Sequence, residues 1–476
     1  MEPIDENSSP ADSSPPVAGP VSRSGRRGLI PFLVIWFGQT VSVFGSQLAG
    51  FALGVWVFQT TGSATQFAII STLSILPGIV LMPFAGALVD RWDRRTAMLV
   101  ADAVAGLSAL VLGVFFYLQM ADVWTIGATL AVSSTCHAVR WPALSASVPL
   151  LVPKKHLGRA AGLQQTGYAG SQILAPLLGA ALLGIVGVWG IVMINCGSFF
   201  VAVASLVPIR IPRPTADSGA TEAGRTLRQD ITFGWHYLRQ RRGLMGLLLL
   251  LAGSNFSLGM AQVLLTPLVL SFGTPQELSY VLFSAGIGML AGGLLMGVWG
   301  GPRRRIAAIL VCLSVEATLL IGVGILPSIP IIAVSVLLIM GSVQIGQACS
   351  QTIWQTKVAP EVQGRVFSMR SMIATASQPI AYMAAGPLAD YVFEPLLLPG
   401  GALSGSLGQI LGVGPGRGMG LIFVALGVLT ILWVGVGLRS RRLRNLEEDL
   451  PDAIDSLTTR DLPRRHANER QPVTAP

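Results

Sequence analysis

Twelve stretches of solid apolar sequence constrain this chain more than any other feature. They cover about residues 29–58, 66–89, 96–118, 123–147, 160–186, 188–208, 243–271, 278–299, 305–326, 329–352, 366–392 and 418–438. A helix needs ~20 apolar residues to cross roughly 30 Å of hydrocarbon. In lipid every backbone amide requires an internal partner, and barrel strands would alternate instead of running solid, so these stretches must be helices. Composition points the same way: 52% of residues are hydrophobic and 12% charged, about half the charged share of a soluble domain. Soluble globular and largely disordered classes are thereby excluded. The four cysteines (Cys136, Cys196, Cys312, Cys349) lie in apolar runs without a C-x-x-C pair, which leaves no zinc, redox or disulfide framework.

Orientation follows from the basic residues. With the N-terminus inside, the inner loops hold Arg91, Arg94 and Arg95; Lys154, Lys155 and Arg159; the Arg210 to Arg242 cluster; Arg303, Arg304 and Arg305; and Lys357 and Arg365, against Arg417 outside. This asymmetry satisfies the positive-inside rule and places both termini in the cytoplasm. It also accounts for the net charge of +9 without nucleic acid. The expected organisation is a disordered tail over 1–28, a six-helix bundle over 29–208, a cytoplasmic linker over 209–242, a second bundle over 243–438 and a cytoplasmic tail over 439–476. The glycine-rich stretch Gly412 to Gly418 lacks the Lys-Ser/Thr ending of a phosphate loop and falls in an outer connection over 393–417, expected to be flexible.

The two halves repeat. Pro153, Gly158-Arg159 and Ser171-Gln172 follow span four; Pro360, Gly364-Arg365 and Ser377-Gln378 follow span ten, with the last two pairs at a constant offset of 206. Two parallel six-helix bundles around a midplane cavity form a transporter plan.

Between spans two and three stands Gly86-Ala-Leu-Val-Asp90-Arg91-Trp-Asp93-Arg94-Arg95-Thr-Ala-Met98. It resembles the signature loop of the major facilitator superfamily, G-x-L-x-D-R-x-G-R-[RK]-x-x-[LM]. Phe44-Gly-Ser46, Thr61-Gly-Ser63 and Gly386-Pro-Leu-Ala-Asp390 resemble its macrolide-efflux-like branch of drug and siderophore exporters. The resemblance implies that Gly86, Asp90, Arg91, Arg94 and Arg95 form a conformational latch, with Asp90 near Gly364 and Arg365 in the outward-open state. The alternative is that the arginines only set topology. Asp93 stands where the family usually has Gly, and Asp tolerates the left-handed turn expected there.

The resemblance also assigns spans one, four, seven and ten to the cavity. Span one carries Gln39, Ser42 and Ser46; span seven Asn255, Gly259 and Gln262; span ten Gln344, Gln347 and Gln351. Each series falls on one helix face, and polar groups in hydrocarbon should turn from lipid. Cavity lining and interhelical hydrogen bonding are both open readings. His137 and Arg140 share a face of span four, with Trp141 as an aromatic wall; Arg140 either binds an anionic group or snorkels to the inner surface. Glu316, mid-span nine, is a candidate proton carrier or a buried structural acid, and Asp102 a second candidate within the inner polar network.

These residues lead to an all-α membrane protein of the cell membrane, with no catalytic or metal site and no cofactor beyond the proton gradient. The expected activity is export of a hydrophobic or amphipathic small molecule by alternating access with proton antiport. Import or flipping of a metabolite or lipid, and a non-transporting sensor or enzyme, are the alternatives. Expected partners are the small-molecule substrate, protons and bilayer lipid, with no nucleic acid, and the chain is expected to be a monomer.

Overall fold

The computed structural model describes residues 29–81, 93–153, 156–209, 211, 235–358 and 360–449. Gly86, Asp90 and Arg91, both distal tails and most of the central linker therefore lie outside the described residues. Among those described, the chain is helical throughout, without a strand.

The first half contains α1 (Leu29–Thr61), α2 (Ala64–Leu73, carried on to residue 81 past a turn), α3 (Arg94–Tyr117) and α4 (Val123–Leu151). The run Leu157–Leu206 completes it; Gly187 divides this run into α5 and α6. Gly187 is the residue between the two predicted spans. Its φ of 65° and ψ of −176° lie in a region open essentially to glycine alone, which explains why the chain reverses there. The second half contains α7 (Arg242–Leu270), α8 (Pro275–Trp299), α9 (Arg305–Ile325), α10 (Ile329–Lys357), α11 (Pro360–Pro387) and α12 (Arg417–Arg439).

Nine helices among the described residues are long and apolar enough to cross a membrane. That number takes α5 and α6 together. It leaves out α4 and α11, whose sequences are diluted by polar residues such as Ser133, Ser134, Thr135, His137 and Arg140 in the first and Arg370, Ser371, Ser377 and Gln378 in the second.

The repeat extends from sequence to packing. In the first half α3 packs on α4 and on the α5–α6 run, α2 on α4, and α1 on the same run; in the second α9 packs on α10 and α12, α8 on α10, and α7 on α11. Contact between the halves obeys the same symmetry, since α2 meets α11 and the α5–α6 run meets α8.

The apolar core is divided unequally along the helix axes. At the end where α1 turns into α2, one continuous core joins the halves: Leu53, Val57 and Ala68 share it with Leu264, Ala381 and Ala385. At the basic end the halves keep separate cores, one around Leu244, Ile309, Trp354 and Leu443, the other around Ile35, Met98, Leu144 and Leu206. Burial of apolar surface is the main cohesive term in such contacts, so the halves adhere at one end and part at the other.

One expectation is revised. The 393–417 connection is folded, not a flexible strap: it contains the helical turns Glu394–Leu397 and Gly408–Leu411, and Gly414 N–H donates to the Leu397 carbonyl at 3.1 Å. Glu394 also accepts from the backbone N–H groups of Gly416 and Gly418, capping α12. The stretch after Arg439 begins as structure too. Leu443 and Leu446 are buried, Glu447 Oε1 accepts from Arg305 N–H at 3.0 Å, and Lys357 Nζ donates to the Glu447 carbonyl at 2.6 Å.

Candidate functional site

The signature loop is described only from Asp93 onward. Asp93 does not adopt the left-handed conformation expected of it. Its φ of −63° and ψ of 119° are extended, it forms the N-cap of α3, and its carboxylate accepts from Thr96 Oγ1 at 3.3 Å. An extended N-cap needs no glycine, so Asp serves there on ordinary terms. Arg94 opens α3. Arg95 acts within the first half: its Nε and Nη2 donate to the carbonyls of Leu206 and Val207 at 3.1 and 2.6 Å, placing a cation on the carbonyls at the end of α6.

Four of the predicted residues, Gln39, Ser42, Asp102 and Arg140, meet in one buried network. Asp102 on α3 accepts from Gln39 Nε2 of α1 at 2.7 Å and pairs with Arg140 Nη1 of α4 at 3.1 Å. The same Arg140 nitrogen donates to Ser42 Oγ at 2.9 Å, and Nη2 lies 3.3 Å from His137 Nδ1. Arg140 is 7% exposed and Asp102 1%, so Arg140 is held within the bundle instead of snorkelling to the surface. The Asp102 carboxylate selects the amide end of Gln39, and this leaves Gln39 Oε1 buried without a partner among the described residues. His137 is exposed, with its ring 6.2 Å from that of Trp141.

In the second half Glu316 of α9 is 2% exposed and both its oxygens receive one donor, Ser254 Oγ of α7, at 3.1 and 3.2 Å. It is a carboxyl without a basic partner among the described residues. Gln262 accepts from Tyr382 of α11 at 3.0 Å. Asn255 is half-buried. On α10 the glutamines lie off the packed face formed by Ile339, Gly346, Cys349 and Ile353: Gln344 is half-buried and Gln347 exposed, whereas Gln351 accepts from Arg370 at 2.8 Å.

The sequence reading missed Arg370. It sits near the start of α11, reaches Ser350 Oγ at 3.3 Å and stacks 5.2 Å above the Trp354 ring. An arginine five positions into the predicted eleventh span was the available signal.

A cavity of about 170 Å³ lies between the halves, against the shared core. It is lined by Gln47, Gly50, Phe51, Gly54, Phe67, Gln172 and Pro176 from the first half and Thr266 and Leu282 from the second. Gln47 donates to Gln172, which donates to Tyr168 at 3.1 Å. Among the described residues its wall is aromatic, amide and hydroxyl, with no charged side chain, a lining suited to an uncharged or amphipathic ligand surface. None of the glutamines predicted for the cavity on spans one, seven and ten lines it. The Gln47–Gln172 pair does.

The description "Major Facilitator Superfamily" is that of the family model matching residues 35–382. Macrolide efflux protein A of Streptococcus pyogenes is 31% identical over 367 residues, covering 76% of this chain and 90% of that protein. The multidrug efflux pump Tap of Mycolicibacterium fortuitum is 25% identical, covering 76% and 89%. Among solved structures, a bacterial homologue of the human lysosomal transporter Spinster, inward-facing and unoccupied, superposes with a TM-score of 0.67 at 14% identity over 87% of this chain and 96% of that one. A bacterial homologue of the iron transporter ferroportin, also inward-facing, gives 0.60 at 15% identity over 85% and 99%. At such identities these structures speak to the fold alone. The family match and the efflux relatives together place the chain in the Major Facilitator Superfamily, on its macrolide-efflux-like branch, as a multi-pass membrane transporter and not an enzyme.

Proposed function

We propose that the protein exports a hydrophobic or amphipathic small molecule across the cell membrane by alternating access, driven by protons moving inward. The observation that carries this reading is the unequal core: the halves share one apolar seam at one end and separate at the basic end, with the cavity between the halves against that seam. All twelve helices cross the bilayer, and both termini and the basic loops face the cytoplasm. The arrangement is then open to the inside, and rocking of the halves about the cavity opens the other side. Export of drug-like compounds is supported by the efflux proteins to which the chain is similar and by the uncharged cavity wall.

Proton coupling needs a carboxyl that exchanges its proton during the cycle. Asp102 is held by Arg140, whereas Glu316 has only a serine hydroxyl, so Glu316 is the better carrier and Asp102 the structural acid. Asp90, with Gly86, Arg91 and Arg94, serves as the latch of the opposite, outward-open state.

The test is uptake of a macrolide and of cationic dyes into inverted vesicles under an imposed pH gradient. Concentrative uptake abolished by a protonophore is expected, and Asp90→Asn should remove it while leaving the protein in the membrane. Uptake indifferent to the gradient overturns the antiport reading.

A further inference from the structure

Asp390, in the π-helical turn that continues α11, reaches across to the other half of the molecule and caps α2. Its Oδ1 accepts from Ala64 N–H at 3.1 Å; its Oδ2 accepts from Thr65 N–H at 2.8 Å and from Ser63 Oγ at 2.7 Å. Ser63 Oγ in turn accepts from Gln66 N–H at 3.2 Å, and Phe67 N–H donates to the Ser63 carbonyl. The first four N–H groups of a helix have no partner within it. In α2 two of the four are satisfied by a carboxylate from the opposite bundle. A negative charge at this position also meets the positive end of the helix dipole.

Two features of α11 serve this contact. Gly386, one turn before Asp390, lies so close to α2 that a Cβ there would stand 2.5 Å from Thr65 Cα and 2.9 Å from the Ala64 carbonyl oxygen. From Leu388 to Phe393 the helix winds as a π-helix, a form frequent at functional sites. The three hydrogen bonds to Asp390 tie the first half directly to the second, at the end where the halves share their core.

We propose that Asp390 is the gating residue of the outer side: its cap on α2 holds the outer end shut while the cavity is open to the cytoplasm, and it must let go of α2 before substrate leaves outward. This rests on the alternating-access reading above. It assigns to Asp390 a part that the signature loop does not play, at the opposite face and in the opposite state.

Gly50 offers a reporter, because it lines the cavity and a Cβ added there meets nothing within 4 Å. Gly50→Cys would be labelled from outside by a membrane-impermeant maleimide in right-side-out vesicles, with the chain carrying only its native thiols as background. Asp390→Ala should raise the labelling rate about tenfold, the population shift expected from losing one helix cap. Asp390→Asn, which retains one acceptor oxygen but no charge, should raise it less. Gly386→Ala drives the same two helices apart and should act in the same direction, independently of whether Asp390→Ala folds. A role in stability alone would not alter the side from which the reporter thiol is reached. Unchanged labelling in folded Asp390→Ala, or in Gly386→Ala where the first does not fold, overturns the proposal. Labelling in the unsubstituted reporter that ignores both the proton gradient and added macrolide overturns alternating access itself. Labelling that follows the gradient but ignores Asp390 overturns only the gate.

Discussion

Asp102 and Glu316 are counterparts. Each is the buried acid on the third helix of its half, and each is hydrogen-bonded to that half's first helix, Asp102 to Gln39 at 2.7 Å and Glu316 to Ser254 at 3.1 and 3.2 Å. The pseudo-symmetry ends at charge. Arg140 lies 3.1 Å from Asp102, whereas the described residues place no cation against Glu316.

The Asp102–Arg140 pair should therefore behave as a coupled structural unit. Removing one partner strands a buried charge, so Arg140→Gln should destabilise the protein by about 3–5 kcal/mol. Asp102→Asn with Arg140→Gln should cost less than the two single changes added together. Thermal unfolding of the purified protein and its three variants in detergent reads both quantities.

Glu316→Gln keeps an acceptor for Ser254 Oγ but carries no exchangeable proton. Thermal stability should stay close to the parent value, while vesicle uptake loses its response to an imposed pH gradient. Retained gradient-driven uptake would make Glu316 a structural acid.

The Gln47–Gln172 pair should set ligand affinity. Gln172→Ala leaves a cavity amide without its partner, and the half-saturating ligand concentration should rise about 5- to 30-fold, equivalent to losing ~1–2 kcal/mol of hydrogen bonding. Gln347→Ala, on the open face of α10, is the comparison. A larger effect at Gln347 than at Gln172 would move the binding surface toward the basic end.

Gly187→Ala isolates a backbone effect, because a Cβ at this position meets no atom within 4 Å. The cost is conformational alone, about 1–3 kcal/mol, and appears as a lower unfolding temperature with unchanged transport per folded molecule.

Burial pushes the Glu394 carboxyl up from its ordinary value, opposed by the N–H groups of Gly416, Gly418 and Met419 that it caps. A carboxyl raised in the folded state still holds its proton there at a pH where the unfolded chain has lost it. Stability should thus fall as pH rises from the unfolded toward the folded value. Glu394→Gln should flatten that decline in unfolding temperatures measured between about pH 4 and pH 7.

Local physics was legible in the sequence, and distant pairing was not. Apolar length marked the helices, and a glycine between two apolar runs marked the reversal at Gly187, because both signals are written within a few residues. Helical spacing turned Gln39 from lipid and put Arg140 on one face with His137, and the structure joins Gln39 and Arg140 through Asp102. The same spacing grouped Gln344, Gln347 and Gln351 on one face but carried no information on what that face meets. The cavity amides Gln47 and Gln172 lie 125 positions apart, and Ser63 and Asp390 lie 327 apart. No periodicity links residues on different helices; only the packing of the bundles brings them together. Arg370 escaped because a cation at the edge of an apolar run looks like a loop residue until its stacking partner is known.

The segment after α12 folds back under the second half, where Leu443 and Leu446 seat against α7 and Glu447 ties α9 to α10. That bundle thus brings its own clasp across its basic end, which binds its helices into one block. On the alternating-access reading, motion between the two blocks is borne by the paired seams α2–α11 and α5–α8, like a book turning on its spine while the pages themselves stay flat.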